Sequence, residues 1–408
     1  MYLAKEMNKM SQFDFDRIPK RIGTNCTKWD NNLKTWGDKW TNDMIPMWIA
    51  DMDFESPPEI IDALSDRINK GVFSYTTISL SFGQTVSNWL NKRFNIKIEP
   101  SWINFSPGVM PGISNIIQAL SKVGEGVIIQ PPVYYPFFSV VRNNNRVLVF
   151  NNLIETDGSY CIDFADLRAK AAVSETKIMI ICNPHNPVGR VWRRDELEKM
   201  GTICLENNVL MIVDEIHSDI IYKPFKHVSF MTMPEKIRNN SIVLMSPSKT
   251  FNLAGLQTSA VIISNERIRK IFCLQSEITK TNSINCLGEL ALETAYNQCE
   301  YYADELLDYL EINRQMIYDF ISKQIPTIKA FNSEGTYLMW IDMRSTGISN
   351  DEIEVFMIND AKIAVDLGEW FGETGKGFIR LNFACPRSIL IKALFNIKYA
   401  LDERMSEK

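Results

Sequence analysis

Five short stretches of this chain are apolar at every position rather than at every second one. They are Val127-Ile128-Ile129, Lys177-Ile178-Met179-Ile180-Ile181-Cys182 after its first residue, Val209-Leu210-Met211-Ile212-Val213, Ile242-Val243-Leu244-Met245 and Ala260-Val261-Ile262-Ile263. A strand that alternates apolar and polar residues has one wet face; a strand without alternation is covered on both. Helical spacing over 113–120 and 195–207 supplies elements to do the covering. The chain therefore reads as α/β, with a largely parallel sheet between helical layers. Val147-Leu148-Val149-Phe150 reads as a further strand.

Outside this region the pattern changes. Residues 59–70 and 82–94 have helical apolar spacing, and 266–320 is mainly helical. Past residue 325 strands at 337–341 and 377–383 precede a closing helix at 388–401, an α+β arrangement. At 408 residues the chain is too long for one core. We expect an N-terminal arm with part of a small domain over 1–45, a large domain over 46–300 and a small C-terminal domain over 301–408.

Charge and cysteine usage exclude several functions. The formal net charge is -5, which offers no basic footprint for nucleic acid or an anionic membrane. No apolar run reaches transmembrane length and no signal-peptide pattern opens the chain. Eight scattered cysteines without a Cys-x-x-Cys pair read as reduced thiols of a cytoplasmic protein. With three histidines, no metal site is expected.

Three loops at strand ends carry the chemistry. They are Asn183-Pro184-His185-Asn186-Pro187-Val188-Gly189, Asp214-Glu215-Ile216-His217 and Ser246-Pro247-Ser248-Lys249-Thr250-Phe251-Asn252. Each alone has an ordinary explanation as a turn or a helix cap. Together, at the ends of open α/β strands, they describe a ligand site. A lysine that can condense with an aldehyde suggests a Schiff-base site for pyridoxal phosphate. That cofactor needs a carboxylate on its ring nitrogen, which Asp214 can supply. Asn186 can donate to the phenolic oxygen, and Tyr134 can cover the ring face. The phosphate wants backbone amides at a helix start and hydroxyls; Gly108-Val109-Met110 with Ser246 and Ser248 provide both. Arg380 can clamp a substrate carboxylate.

With these residues in view, the chain resembles a fold-type I pyridoxal phosphate enzyme of the aminotransferase class I/II superfamily. More narrowly it is similar to the MalY/PatB group of cystathionine β-lyases and cysteine-conjugate C–S lyases. The stretches that carry the likeness are 46–54, 183–192, 214–219, 247–256, 377–382 and Pro386-Arg387. The resemblance implies a seven-stranded, mostly parallel sheet, and a homodimer with shared active sites. It implies that Lys249 anchors the cofactor and that Asp214, Asn186 and Tyr134 contact its ring. Arg380, with Asn186, would bind substrate. Tyr75 would reach the cofactor phosphate of the other subunit.

Two positions depart from the aminotransferase branch. His217 stands where a tyrosine near the ring oxygen is common, and Gln257 where a phosphate-binding arginine is common. Both favour the lyase branch. The expected reaction is β-elimination from cystathionine or a cysteine S-conjugate. The alternative is an aminotransferase, which would use the same residues. A third reading is a cofactor-binding regulator of transcription acting through a protein partner.

Overall fold

A computed structural model describes residues 12–30, 35–41 and 43–406. Seven strands form one sheet: β1 (Ile103–Ser106), β2 (Gly126–Ile129), β3 (Val147–Phe150), β4 (Thr176–Cys182), β5 (Leu210–Asp214), β6 (Ser241–Met245) and β7 (Ser259–Ile262). Their order is β1-β7-β6-β5-β4-β2-β3. β7 runs antiparallel to both its neighbours; every other pairing is parallel.

Alternation returns once the two faces are separated. Val127, Ile129, Ile178, Ile180, Ile212, Ile242 and Leu244 enter one core layer. Ile128, Met179, Ile181, Met211, Val213, Val243 and Met245 enter the other. None is more than 2 % exposed, which is why no polar residue interrupts these strands. Each such side chain contributes roughly 1.5–3 kcal/mol by leaving water.

Helices close both faces. α1 (Leu80–Phe94) starts with the Ser79 side chain accepting from the Phe82 amide at 3.0 Å, and it buries Phe82, Val86 and Trp89. α2 (Val109–Leu120) buries Ile113, Ile116 and Ile117 on the opposite layer. α3 (Arg194–Glu206) buries Leu197, Met200 and Ile203 on the same layer as α1.

A second, antiparallel sheet follows: β8 (Lys329–Ala330), β9 (Leu338–Asp342), β10 (Asp366–Leu367) and β11 (Phe378–Asn382), in the order β8-β9-β11-β10. α4 (Glu300–Gln324) and α5 (Arg387–Ser406) pack with it through Leu310, Ile317, Leu390 and Leu394. The N-terminal segment joins this part, since Ile45 and Pro46 pair with Ile363 and Ala364. Among the described residues no helix is long and apolar enough to cross a membrane. The eight cysteines are free thiols.

Candidate active site

In a parallel sheet the carboxyl ends of the strands share one edge, and the loops leaving them share one crevice. Here Asp214 is the last residue of β5, and its register partners are Cys182 at the end of β4 and Leu244 near the end of β6. The three loops flagged in the sequence therefore converge. Asn186, Asp214, Ser246, Ser248 and Lys249 line a single cavity of about 200 Å³. Tyr134 and His217 line it too, as do Val109 and Met110 at the start of α2.

Lys249 is held by backbone. Its Nζ donates to the Ala50 carbonyl at 2.5 Å, and the same oxygen accepts from Tyr337 Oη at 3.0 Å. Asn252 ties the lysine loop to the same segment, donating to the Met52 and Phe54 carbonyls at 3.0 and 2.8 Å. Burial brings the Lys249 amine down from 10.5 to about 8; Asp51 and Asp214 oppose the drop and Arg380 adds to it. An amine with that affinity is partly neutral near physiological pH and can serve as a base.

Asp214 responds to burial in the opposite sense. Its carboxyl rises to about 6, against the Ile216 amide at 3.1 Å and the nearby Lys249, which both favour ionisation. His217 is pushed well below its usual range by burial and by the cations Lys249 and Arg380. It is therefore a neutral imidazole, and its Nδ1 has no partner. Burial raises the Tyr134 phenol far above its usual value, so it stays protonated.

Arg380 lies beside the cavity rather than in its lining. It sits on β11, 1 % exposed. Its Nη1 donates to Asn186 Oδ1 at 2.9 Å and its Nη2 to the Trp48 carbonyl at 3.1 Å and to Asp366. The guanidinium lies over the Phe371 ring, 4.9 Å from its centroid. Its Nε is buried without a protein partner. Asn186 spends its oxygen on Arg380, so its amide NH2 remains as a donor.

The α2 start fits an anion. Gly108 caps the helix at φ +117°, a conformation that leaves the Val109 and Met110 amides at the first two helical positions without intrahelical acceptors. Ser248 lies next to Ser246, with Oγ–Oγ 2.8 Å, and the Ser246 hydroxyl also reaches the Thr258 carbonyl at 2.7 Å. Gln257 stands in the left-handed region at φ +49° and brings no charge to this end. Amides and hydroxyls at one end, a carboxylate and a lysine amine elsewhere in the lining: this donor set suits pyridoxal 5'-phosphate.

Tyr75 stands apart. It is fully exposed and does not line this chain's cavity. Sequence reasoning missed Ala50, Asp51 and Asp366. Asp366 had a signal, being the one acid in Ile363-Ala364-Val365-Asp366-Leu367, where a buried charge demands a partner. Ala50 had none, because it acts through a carbonyl.

The aminotransferase class I and II family model matches residues 42–395. Cystathionine beta-lyase PatB of Bacillus subtilis (strain 168) is 38% identical over 388 residues, covering 95% of this chain and 100% of PatB. The cystalysin structure from Treponema denticola, which contains pyridoxal 5'-phosphate, superposes with a TM-score of 0.93 at 36% identity. It covers 96% of this chain and 99% of its own. A PLP-bound protein of Clostridium difficile 630 with a provisional aminotransferase name gives 0.92 at 42% identity, covering 95% and 100%.

Proposed function

This chain belongs to the aminotransferase class I and II family, and we propose that within it the protein is a pyridoxal phosphate-dependent carbon–sulfur β-lyase. Its substrates are cystathionine or cysteine S-conjugates, and its products a thiol, pyruvate and ammonia. One observation carries the reading: Lys249, an amine lowered to about 8, shares a cavity with Asp214 and with Asn186, whose Oδ1 accepts from Arg380. The likeness to PatB and cystalysin supports the lyase branch over the aminotransferase alternative.

When bound, pyridoxal phosphate supplies an electron sink conjugated to the substrate α-carbon. Val109, Met110, Ser246 and Ser248 would hold its phosphate, with Gln257 as an uncharged neighbour, and His217 would lie near the phenolic oxygen. Asp214 would keep a proton on the ring nitrogen, Asn186 would donate to the phenolic oxygen and Tyr134 would cover the ring. Arg380 orients the substrate by its carboxylate. Lys249 Nζ, in its neutral form, would take the α-proton of the substrate. The thiolate then leaves from the β-carbon; a free thiol pKa of about 8.5 makes it a good leaving group. Hydrolysis of the remaining unsaturated amino acid gives pyruvate and ammonia.

The site is completed in a homodimer. Val72, Phe73, Tyr75, Ile78 and Leu80 form an exposed apolar stretch that suits a second copy, with Tyr75 reaching that copy's phosphate. The catalytic unit is a large domain over 46–300 and a small one over 301–408, to which the arm over 1–45 contributes, in the cytoplasm. Turnover of an S-alkylcysteine with and without a 2-keto acid tests the reading. Pyruvate without the acceptor supports it; a strict need for the acceptor returns the aminotransferase alternative.

A further inference from the structure

Residues 21–30 of the N-terminal arm fold against the 51–53 segment, beside the Ala50 carbonyl that accepts from Lys249. Asp30 shapes it: its carboxylate accepts from the Gly23, Thr24 and Cys26 amides at 2.9, 2.9 and 3.1 Å. This turn aims Arg21 and Cys26 at the 51–53 segment. Arg21 Nη2 meets Asp51 Oδ2 at 2.5 Å and Cys26 Sγ at 2.9 Å, and its Nη1 meets Asp53 Oδ1 at 3.1 Å. Lys28 Nζ takes Asp53 Oδ2 at 2.7 Å, and Trp29 Nε1 takes Asp53 Oδ1 at 2.8 Å. Two carboxylates thus face two cations, and the cluster is neutral only while Arg21 is present.

Asp51 is covalently next to Ala50, whose carbonyl receives the Lys249 amine. We propose that Arg21 is a positioning residue for Lys249, holding the Asp51 carboxylate in an ion pair so that its charge does not act in full on the amine. The other groups that act on Lys249 are Asp214, Arg380 and His217, which is neutral; Tyr337 shares the Ala50 carbonyl with it. Asp51 itself faces Arg21, Cys26 Sγ at 3.7 Å and Tyr337. Asp51 is the largest of the charges that raise the Lys249 amine, ahead of Asp214. Removing Arg21 leaves one uncompensated negative charge and stabilises the ammonium. Removing the Asp51 charge leaves an uncompensated cation and destabilises it.

This inference rests on Lys249 being the reactive amine. Its test uses the full chain stripped of cofactor. The pH dependence of Lys249 acylation is followed by peptide mass spectrometry in wild type, R21M, R21K, D51N and the double variant R21M/D51N. The midpoint moves up by about half to one pH unit in R21M and down by a similar amount in D51N. R21K stays near wild type, and the double variant returns toward it because both charges are gone. Shifts of the same sign in R21M and D51N, or no shift in either, overturn the proposal. A disordered arm would leave the double variant as displaced as R21M, and that result also overturns it. The kinetics of the same proteins separate the two claims. Shifts without pyruvate formation sink the lyase reading alone; pyruvate formation without shifts sinks this one alone.

Discussion

Arg380 and Asn186 are joined by a 2.9 Å hydrogen bond between Nη1 and Oδ1, so a strand of the small sheet touches a loop of the large one at the site. Directly across the β10–β11 ladder, Asp366 pairs with Arg380. The guanidinium is thus fixed from two sides before any substrate arrives. Arg380→Lys keeps the charge but loses the planar fork. The expected result is a KM raised roughly 10- to 100-fold, with kcat changed less, in steady-state kinetics on a thioether amino acid.

Arg380→Ala does something different, because it strands Asp366, which is 0 % exposed. An unpaired buried carboxylate costs about 3–5 kcal/mol. Urea unfolding of Arg380→Ala should show that loss; Arg380→Lys should show much less of it.

Asp214→Asn keeps the shape of the cavity floor and removes the charge that would hold a ring proton. Activity is expected to fall by at least about 100-fold with cofactor still bound, as judged by its visible absorption. Binding that fails together with activity would assign Asp214 to anchoring alone.

The two perturbed groups give opposite pH signatures. The Lys249 amine sits at about 8 folded against 10.5 as a free lysine. Between those values the unfolded chain binds more protons, so the cofactor-free protein gains stability as pH rises through that window. Asp214 sits at about 6 folded against 3.8. There the folded chain binds more protons, so stability is lost as pH rises from about 4 to 6. Denaturation at fixed temperature across pH checks both, and Asp214→Asn should erase the lower one.

The buried strands were legible because burial on both faces leaves an unbroken apolar run, as in Ile178–Cys182. The direction of β7 was not, since Ala260–Ile263 reads the same parallel or antiparallel. β1 was missed because Asn104 and Ser106 interrupt its run. Lys249, Asp214 and Asn186 were legible because each follows such a run and carries a chemically specific side chain. Asp366 lies on a two-residue strand, too short to show a period, and its partner is 14 residues away in sequence. Asp51 was inside a stretch the sequence marked for its family likeness, but its pairing with Arg21 spans 30 residues and appears only in the fold.

Elimination at this site breaks a carbon–sulfur bond. The direct measurement is product stoichiometry from cystathionine with added pyridoxal phosphate and no 2-keto acid. The expected result is thiol, pyruvate and ammonia in equal amounts over many turnovers, and none from Lys249→Ala. An absence of pyruvate, with amino-group transfer once a 2-keto acid is supplied, would contradict it.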